Sequence, residues 1–135
     1  MLLVDTNIVA YFLIEGDHSE AAHELYQRDP DWRSEALLMV EFTNILAASV
    51  VAKRMNLALA TRFLAEAESL LEGKLARMPN AVTLAAAAQY RVSAYDARFV
   101  TLAQKLGSRL VTEDRKLRAA APALTQSLAD ALAMT

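Results

Sequence analysis

Leu2-Leu3-Val4-Asp5-Thr6-Asn7 is the stretch on which the fold turns. Three apolar residues with no polar alternation read as a short strand buried on both faces, and the run stops abruptly on an acid. From Ile8 to Leu13 the chain is apolar again, read as the first helix, ending near Gly16. A buried strand, an acid and a helix in immediate succession form the first half of a parallel-sheet unit. The rest of the chain repeats this grammar.

Ser19 is placed to cap a second helix running to about Arg28, with Pro30 as the stop. Ala36 to Met39 reads as the second strand. From Glu41 the spacing turns helical, with Phe42, Ile45, Leu46 and Val50 on one face. Asn56 caps the next helix, whose face carries Leu57, Leu64, Ala67 and Leu71, and Gly73 ends it. Leu75 to Met78 reads as a short strand before Pro79, and Asn80 as the cap of a helix through about Tyr90. Val92 to Ala94 reads as a brief strand. Asp96 opens a helix with Phe99, Val100, Ala103 and Leu106 inward and Gly107 as its stop. Arg109 to Thr112 is a strand followed by a helical turn from Asp114. Ser127 and Asp130 stand at capping-box spacing for a last short helix. Alternating strands and helices predict an α/β fold of three α/β/α layers, with a mainly parallel sheet of about five strands.

Composition bounds the rest. The 135 residues suit one domain over 1–135, large enough to bury a core without staples. With no cysteine there is neither a disulfide framework nor a thiolate zinc site, which suits a reducing, cytoplasmic setting. The start MLLVDTN has no basic n-region or long apolar h-region, so no signal peptide is expected. No apolar run approaches the ~20 residues of a membrane span; the best, Ala81 to Ala88, stops at Gln89 and Arg91. A net charge of -2 argues against nucleic-acid binding by bulk electrostatics. A site whose carboxylates collect cations escapes that argument, because the ions reverse the local sign.

On this map Asp5, Glu41, Asp96 and Asp114 all stand at strand-to-helix junctions. In a parallel sheet such junctions share the carboxyl edge, where ligands bind. Oxygen-only ligands select hard divalent ions, Mg²⁺ or Mn²⁺, which can activate water and steady the leaving oxygen of a phosphodiester. Each acid alone has a plainer reading. Glu41 or Asp96 serves a helix start, Asp5 caps the helix near Asn7, and Asp114 is a loop acid or cap. The joint placement carries the chemical reading.

At these residues the chain resembles the PIN-domain ribonucleases. The resemblance runs nearly end to end. It rests on V-D-T-N at Val4–Asn7, Val40-Glu41 after the second strand, S-x-Y-D-A at Ser93–Ala97 and L-V-T-x-D at Leu110–Asp114. It implies a metal-dependent endoribonuclease using Mg²⁺ or Mn²⁺. Asp5 and Asp96 would be the main direct metal ligands, Asp114 would act directly or through water, and Glu41 would serve a second ion or orient the water. Thr6, Asn7 and Thr112 would order the site; the plainer reading of Thr112 is a β-branched strand residue. Among PIN domains the chain looks most like the VapC toxins, which implies a cytoplasmic protein, a VapB-like antitoxin, an RNA substrate and a homodimer.

Other residues carry less. Lys53-Arg54, Arg62 and Arg115-Lys116-Arg118 could meet phosphates, or be solvated surface. Glu113 should point away from Asp114 into solvent. His18 and His23 stand five apart, not the four of a helical metal pair, and read as surface residues. Tyr26 and Trp32 read as core or rim packing rather than a partner groove. Surplus apolar residues between Phe42 and Leu71 could form a dimer or antitoxin groove.

Three relatives in fold class fit poorly. A receiver domain needs an acidic pair after strand one and a Lys after strand five; strand one offers only Asp5, and Thr112-Glu113-Asp114 stands at the Lys position. A haloacid-dehalogenase-like phosphatase needs D-x-D, and Asn7 replaces the second Asp. Three glycines cannot build a P-loop or a dinucleotide loop. A non-catalytic PIN-like module that binds RNA or protein is the alternative function.

Overall fold

The computed structural model describes residues 1–134. Its elements in order are β1 (Leu2–Val4), α1 (Thr6–Leu13), α2 (Ser19–Arg28), β2 (Trp32–Glu35), α3 (Leu37–Val51), α4 (Leu57–Leu70), β3 (Leu75–Ala76), α5 (Asn80–Tyr90), α6 (Ala94–Leu106), β4 (Leu110–Val111), α7 (Arg115–Ala120), a 3-10 turn (Pro122–Leu124), β5 (Thr125–Gln126) and α8 (Leu128–Met134). The sheet is wholly parallel, in the order β3-β2-β1-β4-β5.

The chain leaves β1 toward β2 and β3, then returns to lay β4 and β5 on the other side of β1. Right-handed crossovers therefore put the early helices on one face and the later ones on the other. The packing of α1 to α7 agrees: α1 meets α2, α3 and α4, whereas α5 packs on α6 and α7 on the 3-10 turn; α8, after β5, crosses back to pack on α2. This is the three-layer α/β/α arrangement expected from the alternation. Leu3 and Val4 are wholly buried, as a central strand covered on both faces requires.

The second strand differs from expectation. Ala36 to Met39 is not a strand; Leu37 already begins α3, and β2 is the more polar Trp32-Arg33-Ser34-Glu35. Ala, Leu and Met are strong helix formers, and the Glu35 carboxylate accepts from Leu37 N–H at 2.6 Å, holding the first donor of the helix. Ser34 survives burial because its hydroxyl donates to the Val4 carbonyl at 2.6 Å.

Val92 to Ala94 is not a strand either. Arg91 ends α5 in the left-handed region at φ 57°, and Ser93 caps α6 by accepting from Asp96 N–H at 3.0 Å. The fifth strand is instead Thr125–Gln126, paired to β4. Ser19 and Asn80 are first helical residues rather than caps. The Ser19 hydroxyl bridges Gly16 N–H and the Ile14 carbonyl, while Asn80 accepts from Arg98. Leu57 on α4 is 70% exposed and Leu106 on α6 38%, so neither lies inward. Asn56, Gly73, Gly107 and Ser127 act at their helix ends as read from sequence. No helix among the described residues is long and apolar enough to cross a membrane.

Candidate active site

β1 and β4 are neighbours, and the chain departs from them in opposite directions, so the topological switch point lies between their carboxyl ends. Asp5 follows β1 and Asp114 follows β4 a few residues on. Both are helix N-caps. Asp5 Oδ1 accepts from Ile8 N–H at 3.2 Å, and Asp114 Oδ1 accepts from Lys116 and Leu117 N–H at 2.9 and 3.1 Å. The structural reading and the chemical one thus coexist, because a cap fixes the direction of the carboxylate it uses.

Glu41 and Asp96 arrive differently from expectation. Glu41 lies one turn inside α3, not at its start. Asp96 lies in the first turn of α6, which follows helix α5 and not a strand. Even so, Asp5, Glu41, Asp96 and Asp114 line one cleft of about 450 Å³ with Thr6, Asn7 and Asn44, walled by Leu37, Val40, Ile45, Tyr95, Phe99 and Leu117. Four segments distant in sequence therefore meet at one sheet edge.

Hydroxyls order the acids. Thr6 donates to Glu41 Oε1 at 2.6 Å. Buried Thr112 hydrogen-bonds the Asp5 carboxyl and accepts the Asp114 N–H at 3.1 Å, joining the two caps. Thr112 is thus a strand-end residue and a linker together. Asn7 lines the cleft.

The electrostatics follow from crowding without cations. Among the described residues, no Lys, Arg or His pairs with any of the four carboxylates. Burial pushes the Asp5 carboxyl up to about 6, and Glu41 and Asp114 push the same way against hydrogen bonds from Thr112 and Ile8. Burial, then the charge of Asp114, also raises Asp96 above the ordinary carboxylate range.

The donor set is all oxygen and suits a hard divalent cation. It is not closed on a point: no trio of Asp, Glu, His or Cys among the described residues is gathered closely enough to ligate one ion. Capping holds Asp5 and Asp114 to the starts of α1 and α7, and the Thr6 bond holds Glu41 to α1. The set fits a metal in donor chemistry and shared cleft, with its final closure left to the ion.

Around the cleft one expectation changes, that for Glu113, while the surface reading of the histidines and the packing reading of Trp32 hold. Glu113 does point away from the cleft, but it is not free in solvent: it accepts from Leu128 N–H at 2.8 Å and pairs with Arg118 at 3.7 Å, tying α8 to α7. Arg118 also donates to the Thr112 carbonyl, and Arg62 lies 3.9 Å from Glu66. Lys53, Arg54, Arg115 and Lys116 are exposed. His18 stacks on Tyr11, and His23 hydrogen-bonds the Phe12 carbonyl. Trp32 is fully buried between Phe12 and Tyr26, which is core packing. A separate apolar groove of about 300 Å³ lies between α3 and α4, lined by Val50, Val51, Leu57 and Leu64 among others.

The sequence reading missed Glu35 and Arg98. Glu35 is 1% exposed at the end of β2 and pairs with Arg98 at 3.2 Å. Only a buried strand ending on an acid would flag it, and the apolar run Ala36 to Met39 points to a strand four residues later than β2.

Comparison with known proteins fits this geometry. A family model described as PIN domain matches residues 2–122. The crystal structure of PAE2754 from Pyrobaculum aerophilum superposes with a TM-score of 0.73, at 24% sequence identity, covering 98% of this chain and 94% of that one. At that identity the likeness speaks for the fold. No curated protein matches the chain.

Proposed function

The chain belongs to the PIN-domain family, a family generally of nucleases, and on that premise we propose that it is a metal-dependent endoribonuclease hydrolysing RNA phosphodiester bonds. The observation that carries the reading is the shared cleft of Asp5, Glu41, Asp96 and Asp114 with no basic partner among the described residues. Unpaired carboxylates of one sign crowded into one cleft repel each other, so their presence asks for a cation that the working protein recruits.

In this reading Asp5 and Asp96 would be the main direct ligands of Mg²⁺ or Mn²⁺, with Asp114 direct or through water. The ion would supply charge for the leaving oxygen and a more acidic attacking water. Glu41, oriented by Thr6, would orient that water or serve a second ion. Thr112 keeps Asp5 and Asp114 in register, and the Asp5 and Asp114 caps prevent the acids from swinging out of the cleft. The apolar wall limits the water that competes for the site.

We read residues 1–135 as one PIN domain and the protein as the cytoplasmic toxin of a VapBC-type pair, inhibited by a VapB-like antitoxin and acting as a homodimer. The support is the set of sequence motifs on which the resemblance rests. The open spacing of the acids favours the alternative, a non-catalytic PIN-like module that binds RNA or protein. Transfer and ribosomal RNA incubated with Mg²⁺ or Mn²⁺, and again with chelator, separate the two. The ribonuclease reading expects cutting with metal alone, whereas intact RNA from a metal-loaded, inhibitor-free preparation points to the binding module.

A further inference from the structure

Asp96 is the one acid of the cleft that no strand delivers. The element before it is a helix, and Ser93, Ala94 and Tyr95, which lead into it, are all exposed. In that first turn of α6 only Ala97 is buried, and its single methyl group fixes no direction for its neighbours.

A directional tie comes two residues after Asp96. Positions 96 and 98 of a helix differ by about 200°, so when Asp96 faces the cleft, Arg98 faces away from it. The Arg98 guanidinium donates to Glu35 Oε2 at 3.2 Å, to the Met78 carbonyl at 3.1 Å and to Asn80 Oδ1 at 2.6 Å. One side chain thus ties α6 to the end of β2, the segment after β3 and the start of α5.

Glu35 is the other half of the joint. Its Oε1 accepts from Leu37 N–H, the first residue of α3, at 2.6 Å, and its Oε2 accepts from Met78 N–H at 3.1 Å. Glu41 stands one turn along that same α3. A single buried carboxylate therefore touches the start of the helix bearing Glu41 and, through Arg98, the helix bearing Asp96.

A buried ion pair is weak evidence for stability, since an apolar pair of similar size often serves as well. What it supplies here is direction: a guanidinium fork with three fixed acceptors admits one helix placement, where apolar contact admits several. We infer that the Arg98–Glu35 pair is a positioning device that sets Asp96 against Glu41 across the cleft. The inference rests on the proposed metal-dependent reading for its effect on activity, but not for its effect on α6.

Four proteins test it: wild type, Arg98→Lys, the double variant Glu35→Gln with Arg98→Met, and Leu25→Val as a control for general destabilisation within α2. The double variant removes both charges, so no lone buried ion remains to unfold the chain. Three readouts are taken: amide hydrogen exchange of residues 96–99, Mn²⁺ binding by calorimetry without RNA, and kcat and KM on one RNA oligonucleotide. The double variant is expected to exchange at 96–99 at least 10-fold faster than wild type. It should bind Mn²⁺ about 10–100-fold more weakly and lose kcat in proportion, with KM little changed. Arg98→Lys should recover part of each, and Leu25→Val should leave 96–99 protected relative to the rest of α6. A folded double variant with wild-type exchange at 96–99 and wild-type Mn²⁺ affinity overturns the inference. If wild type neither binds Mn²⁺ nor cuts, the ribonuclease reading fails, and the exchange at 96–99 still decides whether the pair positions α6.

Discussion

The Thr6 hydroxyl donates to Glu41 Oε1 at 2.6 Å, linking the first turn of α1 to the second turn of α3 across the carboxyl edge of the sheet. Thr6 is buried, so the bond is sheltered from water, and it leaves Glu41 one committed oxygen and one oxygen toward the cleft. Replacing Thr6 by Val keeps the shape and removes the donor. Thr6→Val should lower kcat/KM for RNA by roughly 10–100-fold, the usual cost of losing a group that orients a ligand. Circular dichroism should show the fold intact.

Asp5 supplies a prediction in pH. Its carboxyl is raised from 3.8 to about 6 in the metal-free fold, so between those values the native state holds a proton that the unfolded chain has released. Stability contributed by this group is present below about pH 4 and is lost as pH rises through 6. Asp5→Asn removes the charge and retains an oxygen for the Ile8 cap. The metal-free variant should therefore be more stable than wild type at pH 7.5, by on the order of 1–3 kcal/mol, and the gap should close toward pH 4. Urea denaturation at the two pH values measures it; a constant gap would refute the assignment.

Asp114 has two jobs that substitution can separate. As cap of α7 it accepts from Lys116 and Leu117, and as a cleft acid it carries charge beside Asp5 and Asp96. Asn can cap and Ala cannot. Asp114→Asn and Asp114→Ala should lose activity alike, while Asp114→Ala should be less stable than Asp114→Asn by about 1 kcal/mol in thermal or denaturant melts.

Activity should show an acid limb that depends on metal. Raised Asp5 and Asp96 must give up their protons before they can bind a cation, so protons and Mn²⁺ compete. Raising Mn²⁺ tenfold below saturation should move the acid limb of kcat/KM to lower pH. A limb that stays fixed would assign it to a group outside the metal site.

Legibility in the sequence tracks where the local pattern and the tertiary demand agree. β1 was plain because Leu2-Leu3-Val4 is apolar and central, and the Asp5 and Asp114 junctions were plain because each acid follows its strand within a few residues. β2 was hidden because two of its three buried residues are polar: Ser34 is satisfied by the Val4 carbonyl and Glu35 by Arg98, partners that lie 30 and 63 residues away. The apolar run after it looked like the strand and is a helix. Glu41 and Asp96 line the cleft by a local geometry other than the strand-to-helix junctions expected for them. β5 is two residues long, too short for any alternation to register. The Arg98–Glu35 joint left no local trace, since nothing in either neighbourhood names the other.

The most direct test of the carboxylate cleft as a nuclease centre is cleavage of transfer and ribosomal RNA in Mn²⁺ by wild type beside Asp96→Asn. Asn keeps the size of the side chain in the first turn of α6, so the variant should fold and remove only the charge. The account predicts discrete metal-dependent cuts by wild type, abolished by chelator, and at least a hundredfold slower cutting by the variant. Equal cutting by the two proteins would contradict it.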